Sequence, residues 1–96
     1  MLVVVAYDVN TETKEGRRRL RRVAQACQDF GQRVQKSVFE CVVRESDWAL
    51  LKSRLLREFD ARKDNLRFYF LDESAKKRIE HHGVGQPVDL EAPLIV

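Results

Sequence analysis

Apolar residues run along this chain in two rhythms. Val3, Val4, Val5 and Ala6 form an unbroken run rich in β-branched side chains, which predicts a strand covered on both faces and ending at Tyr7–Asp8. Asn10 to Gly16 is polar and predicts a loop. Beyond it the period changes. Leu20, Val23, Ala24, Cys27 and Phe30 recur at helical spacing, and Gly31 stands where a helix stop is expected. In "QRVQKSVFECVVR", residues 32–44, Val34, Val38 and Val42 share one parity while Phe39, Cys41 and Val43 share the other. Alternation that weak suits a strand with cover on both sides, with Lys36–Ser37 as a bulge or as a tight connection between two short strands. Ser46 is placed to cap a second helix whose buried stripe is Trp48, Leu51, Leu55 and Phe59. Asp64–Asn65 then turns the chain into "LRFYFL", residues 66–71, an aromatic strand. The remainder holds a short strand, "RIEHH", then a Gly/Pro-bearing stretch and the apolar end "PLIV".

Strand, helix, paired strands, helix, strand is the α+β order of a ferredoxin-like βαββαβ domain, one sheet with both helices on one face. A length of 96 residues makes residues 1–96 a single domain, small enough to gain from association. Two helices cover one face of a sheet whose strands are apolar on both. A second copy packed sheet to sheet about a two-fold axis supplies the missing cover, so a homodimer is expected.

Composition adds limits. Apolar content of 44% and charged content of 34% fit a soluble domain. No apolar run approaches the ~18 residues of a membrane span, so no membrane association and a cytoplasmic location are expected. Cys27 and Cys41 lack Cys-x-x-Cys spacing and read as small core residues. No Gly-rich loop or acidic pocket suggests a metabolite site. Charge is more telling. "KEGRRRLRR", residues 14–22, carries a local +5 in a chain of net +3. On the helical wheel Arg17, Arg18, Arg21 and Arg22 fan across the face away from the apolar stripe, with Arg19 at its margin. Arginines in the first turns oppose the helix dipole, a cost that a bound phosphate backbone would offset. That face has no aromatics, which points to backbone contact rather than base stacking.

Asp8 is the chemical question. A carboxylate at the end of a buried strand can cap the following turn, pair with an arginine, or hold a metal. One carboxylate is a poor magnesium site, but a two-fold axis would bring a second. Two such groups ~4 Å apart repel by about 4 kcal/mol at an effective dielectric of 20, a repulsion that a shared cation relieves. His81 and His82 point to opposite sides of a strand and cannot form one site together.

"AYDV" at the first strand's end, "RRRLRRVAQAC" in the helix and "GQRVQKSVFEC" at residues 31–41 together resemble the CRISPR-associated protein two family. This is the small partner of the integrase in prokaryotic adaptive immunity. The resemblance implies a ferredoxin-like homodimer in which a tail strand, from about residue 78 to 96, crosses to the partner's sheet. It implies a magnesium-dependent endonuclease acting on single-stranded RNA or double-stranded DNA. It also implies a scaffold that holds duplex DNA for the CRISPR-associated integrase, protein one, during spacer insertion. By matching position, Asp8 and the adjacent Tyr7 are the catalytic residues, with one Mg2+ per dimer shared by Asp8 of both subunits. The helix arginines match Arg19 and Arg22 and the hairpin positions match Arg33, Gln35, Ser37 and Phe39. The expected nucleic-acid contacts are thus Arg17, Arg18, Arg19, Arg22, Arg33 and Phe39. The alternative is a non-catalytic DNA-binding scaffold with Asp8 structural. The pair His81–His82 departs from the family's pattern of one histidine followed by an apolar residue.

Overall fold

The computed structural model describes residues 1–85. It has strands β1 (Leu2–Asp8), β2 (Gln32–Gln35), β3 (Val38–Val42) and β4 (Asn65–Leu71), and helices α1 (Lys14–Phe30) and α2 (Glu45–Glu58). The strands form one antiparallel sheet in the order β2-β3-β1-β4, the ferredoxin-like arrangement. Lys36–Ser37 is a tight turn between β2 and β3, and the pairing also slips between Arg33 and Gln35, so this stretch holds both a turn and an irregularity.

Local chemistry sets the helix ends. Thr13 caps α1 by accepting from Gly16 N at 3.1 Å, so the helix begins before Gly16 rather than after it. Gly16 is needed there because a Cβ would collide with the Asn10 carbonyl oxygen. That close approach presses the loop after Asp8 onto the first turn of α1. At the other end Gly31 N donates to Cys27 O at 2.8 Å. Its backbone is extended, and its value is space: a Cβ would meet Cys41 Sγ. Ser46 does not cap α2. Arg44 holds that position without a side-chain bond, and Glu45 and Asp47 in the first turn complement the dipole instead.

The register sorts the side chains. Opposed residues share a face, so Val3, Val5 and Tyr7 of β1 lie with Phe39 and Cys41 of β3 and with Leu66 and Phe68 of β4. This face packs on Val23, Ala26 and Cys27 of α1 and on Trp48, Leu51 and Leu55 of α2. Trp48 meets Phe68 edge-on at 4.8 Å between ring centres. The opposite face presents Val4, Ala6 and Asp8 beside Val38, Glu40 and Val42 on one side and Arg67, Tyr69 and Leu71 on the other. Tyr69 and Leu71 are exposed there, so the apolar face the sequence left without a covering helix has none among the described residues.

After β4 the chain forms a 3-10 segment, Glu73–Arg78. The strand expected at "RIEHH" is absent: Arg78 closes the 3-10 segment, and residues 79–82 are unpaired. A strand exists only against a neighbour, and the described residues offer this segment none. The apolar end "PLIV" lies outside the described residues. Among the described residues no helix is long and apolar enough to cross a membrane.

Candidate functional site

Two carboxylates sit at the β1–β4 end of the sheet. Asp8 is opposite Asn65 in the register, and Asp64 immediately precedes that partner. Asp64 is engaged on every side. It accepts from Arg19 Nε at 2.8 Å and Arg19 Nη2 at 3.2 Å, a bidentate pair, and from the backbone N–H groups of Asn10 at 3.0 Å and Asp60 at 2.9 Å. Its side chain has no exposed surface. The Arg19 guanidinium, helped by those two backbone donors, holds the carboxyl down at about 2. Asp64 therefore ties three segments together: the loop after β1, the first half of α1, and the loop before β4.

Asp8 has none of this. It is exposed, and among the described residues its carboxylate makes no hydrogen bond and no ion pair. The turn it was a candidate to cap is held by Asn10, whose Oδ1 accepts from Glu12 N at 2.9 Å. The capping role open to Asp8 is filled by Asn10, and among the described residues no arginine pairs with Asp8. Its oxygens are anionic and unengaged and stand on the uncovered sheet face, which suits magnesium. Among the described residues no three His, Cys, Asp or Glu side chains converge, so a cation at Asp8 needs donors beyond that set.

The other expected site residues separate. Tyr7 does not share a face with Asp8. Its side chain is on the helix side, nearly buried, with the hydroxyl donating to the Lys36 carbonyl at 3.4 Å. Burial pushes its phenol up, while a hydrogen bond with Arg33 pulls the other way. Its placement is that of a packing residue for the hairpin, and the sheet stands between it and any chemistry at Asp8. Phe39 is fully buried, stacked on Tyr7 at 6.2 Å and covered by the Arg33 guanidinium at 5.1 Å, so it presents no free ring face to a base. Arg19 belongs to Asp64, with a side chain only 15% exposed. Arg22 reaches Glu58 at 3.4 Å but stays half exposed. Arg17 donates to the Thr11 carbonyl at 3.2 Å, and Arg18 and Arg21 have no partner among the described residues. The helix arginines thus divide into one structural residue, one weakly paired residue, and three whose charge no carboxylate among the described residues neutralises.

Sequence reasoning missed Asp64 as a fastener. It lies 45 positions from Arg19, and no local spacing announces the pair. The one available signal was an acid just ahead of a strand, opposite a helix with surplus arginines.

Residues 1–79 match the family described as CRISPR associated protein Cas2. The chain is 58% identical over 96 residues to the "CRISPR-associated endoribonuclease Cas2" of Chlorobaculum tepidum, with 100% of both chains covered. It is 50% identical over 95 residues to the "CRISPR-associated endonuclease Cas2" of Halalkalibacterium halodurans, covering 99% of each. Among solved structures, that of Streptococcus pyogenes Cas2 at pH 6.5 is similar with a TM-score of 0.78 and 51% identity, over 86% of this chain and 100% of that one.

Proposed function

The chain belongs to the CRISPR associated protein Cas2 family, and from that premise we propose that it is a nuclease of the CRISPR system that works as a homodimer. Its reaction is phosphodiester hydrolysis, in single-stranded RNA or double-stranded DNA. The observation that carries the reading is the state of Asp8, an exposed carboxylate left without a partner on an uncovered sheet face.

Sheet-to-sheet pairing about a two-fold axis brings Asp8 of both subunits to one place. Together they would hold one Mg2+, which when bound supplies positive charge to the scissile phosphate and acidifies a water nucleophile. The chain's own residues do the rest. Arg17 and Arg18 hold phosphates of the substrate backbone, with Arg22 able to swing from Glu58 to join them. Asp64 and Arg19 fix the loop that leaves Asp8, so the carboxylate is presented from a rigid strand end rather than a loose turn. The same arginine face grips duplex DNA without regard to sequence, and this is the surface on which the dimer holds DNA for the CRISPR-associated integrase. The tail from about residue 78, whose residues 79–82 pair with no strand among the described residues, crosses to the partner's sheet.

Cleavage by highly purified protein with and without Mg2+, compared with Asp8→Asn, tests the catalytic part. A wild-type rate in the variant returns the protein to the scaffold role alone, with Asp8 outside the chemistry. Light scattering tests the assembly: a monomer mass at micromolar concentration would defeat the shared site.

A further inference from the structure

A recess of about 370 Å³ opens on the helix side of the sheet, between α1 and the β2–β3 hairpin. Leu20, Ala24 and Tyr7 give it an apolar floor, and Arg21, Arg33, Lys36 and Ser37 complete its lining. Among the described residues none of the three cations meets a carboxylate. Arg33 lays its planar face on Phe39, which places it without cancelling its charge. Three exposed cations thus surround an apolar floor, with no acid among them.

We propose that this recess is a binding site for a single unpaired nucleotide, one per subunit. Its phosphate sits among Arg21, Arg33 and Lys36, and its base lies on Leu20, Ala24 and the edge of Tyr7. The inference deepens the nuclease reading and rests on it for the substrate class.

Three arguments select this occupant. A bare phosphate gains nothing from an apolar floor, whereas a nucleotide joins an anion to a flat, poorly hydrated ring. The volume falls in the range of about 300–1,000 Å³ typical of small-molecule sites. A paired duplex hides its base faces in the stack, so only an unpaired or extruded nucleotide can use the floor. The recess faces away from the uncovered sheet face, so a partner packed sheet to sheet does not close it. It also lies at the Asp8 end of β1: Tyr7 lines it, Tyr7 N donates to the Ser37 carbonyl at 3.0 Å, and Asp8 is the next residue. The helix arginines alone read only backbone, whereas this site favours single strands.

The test is binding in EDTA by the full chain, so that no metal and no cleavage enter the measurement. Adenosine monophosphate and inorganic phosphate are titrated while amide shifts are followed by NMR. AMP is expected to shift Leu20, Ala24 and Ser37 and to bind about 10-fold tighter than phosphate. Equal affinity for the two probes, or AMP shifts centred elsewhere, overturns the proposal. Fluorescence anisotropy then compares a short single strand with a blunt duplex. Ala24→Met, which fills the floor, and Lys36→Ser, which removes an exposed cation, should each weaken the single strand about 5- to 10-fold and the duplex less than about twofold. Equal weakening of both substrates reduces the recess to ordinary basic surface. If Ala24→Met does not fold, Lys36→Ser decides, because its side chain holds nothing else in place. Because all of this is read without metal, loss of the Asp8 mechanism and loss of the recess are separate outcomes.

Discussion

Asp8 and Asp64 lie almost side by side across β1 and the start of β4, yet they are opposite kinds of residue. Asp64 has two bonds from one guanidinium, two from backbone N–H groups, and no exposed surface. Asp8 is exposed on an open sheet face. A carboxylate whose every lone pair is answered inside the chain has its energy spent on the fold. One left unanswered at the end of a rigid strand keeps its charge for something outside. The same division runs through α1, where Arg19 is locked and Arg17, Arg18 and Arg21 are not. Carboxylates and arginines of one type are thus sorted into groups the fold satisfies and groups it leaves exposed.

The largest effects should fall on opposite properties of the two aspartates. Asp8→Asn is expected to lower magnesium-dependent cleavage by about 1,000-fold, the loss of several kcal/mol of charge stabilisation. Its thermal stability without metal should match or exceed that of the wild type, because two like charges are removed from the proposed dimer. A single-turnover assay and a melting curve on the same sample check both halves. Asp64→Ala should do the reverse on stability, lowering it by about 2–3 kcal/mol, because it strands Arg19 and two backbone donors. Urea unfolding measures this. A drop of less than about 0.5 kcal/mol, the ordinary surface range, would make the pair decorative.

The frame of this fold was legible because its signals are local. The change from a continuous apolar run to helical spacing placed β1 and α1, and the turn at Lys36–Ser37 split residues 32–44 into the β2–β3 hairpin. The unmatched apolar parity of the strands showed in advance that one sheet face would lack a helix. What escaped depends on contacts far apart in sequence. Parity along β1 already put Tyr7 and Asp8 on opposite faces, but adjacency in the motif drew them into one site. Phe39 entered the expected contacts through the family match alone, and the sheet buries it with Tyr7 and Arg33 against its ring. Thr13 outcompeted the expected start after Gly16 because its hydroxyl reaches Gly16 N. "RIEHH" has the pattern of a strand, but a pattern cannot supply the neighbour that a strand requires.

The arginines offer a finer cut. Arg17→Ala with Arg18→Ala should flatten the salt dependence of duplex DNA binding by about two log–log units, at about 0.9 per phosphate contact. Across a fourfold rise in salt this is roughly a 15-fold difference in affinity. Arg19→Ala should leave the slope nearly unchanged while lowering the melting temperature. If Arg19→Ala flattens the slope as much as either of the other arginines does, the Asp64 pair opens when DNA binds, and the division between satisfied and free charges fails on this helix. Anisotropy titrations over a salt series, with melting curves alongside, read both quantities.

The smallest effect belongs to Asp64 alone, and its sign follows from the direction of its shift. The folded carboxyl titrates at about 2, below its ordinary value of 3.8. The unfolded chain therefore binds a proton more readily than the folded one, and stability from this residue is complete above the ordinary value. As pH falls below that value the unfolded state is favoured first, and the contribution is gone once the folded carboxyl is also protonated, below about 2. Between pH 5 and pH 3 the expected loss from Asp64 is about 1 kcal/mol, reduced where salt screens this rim of the molecule. Other carboxylates also titrate in that window, so the measurement is a difference: urea unfolding at both pH values for the wild type and for Asp64→Asn. The variant has no charge to lose at this position and should show a slope shallower by that amount. Equal slopes would mean that the charge on Asp64 contributes nothing to stability.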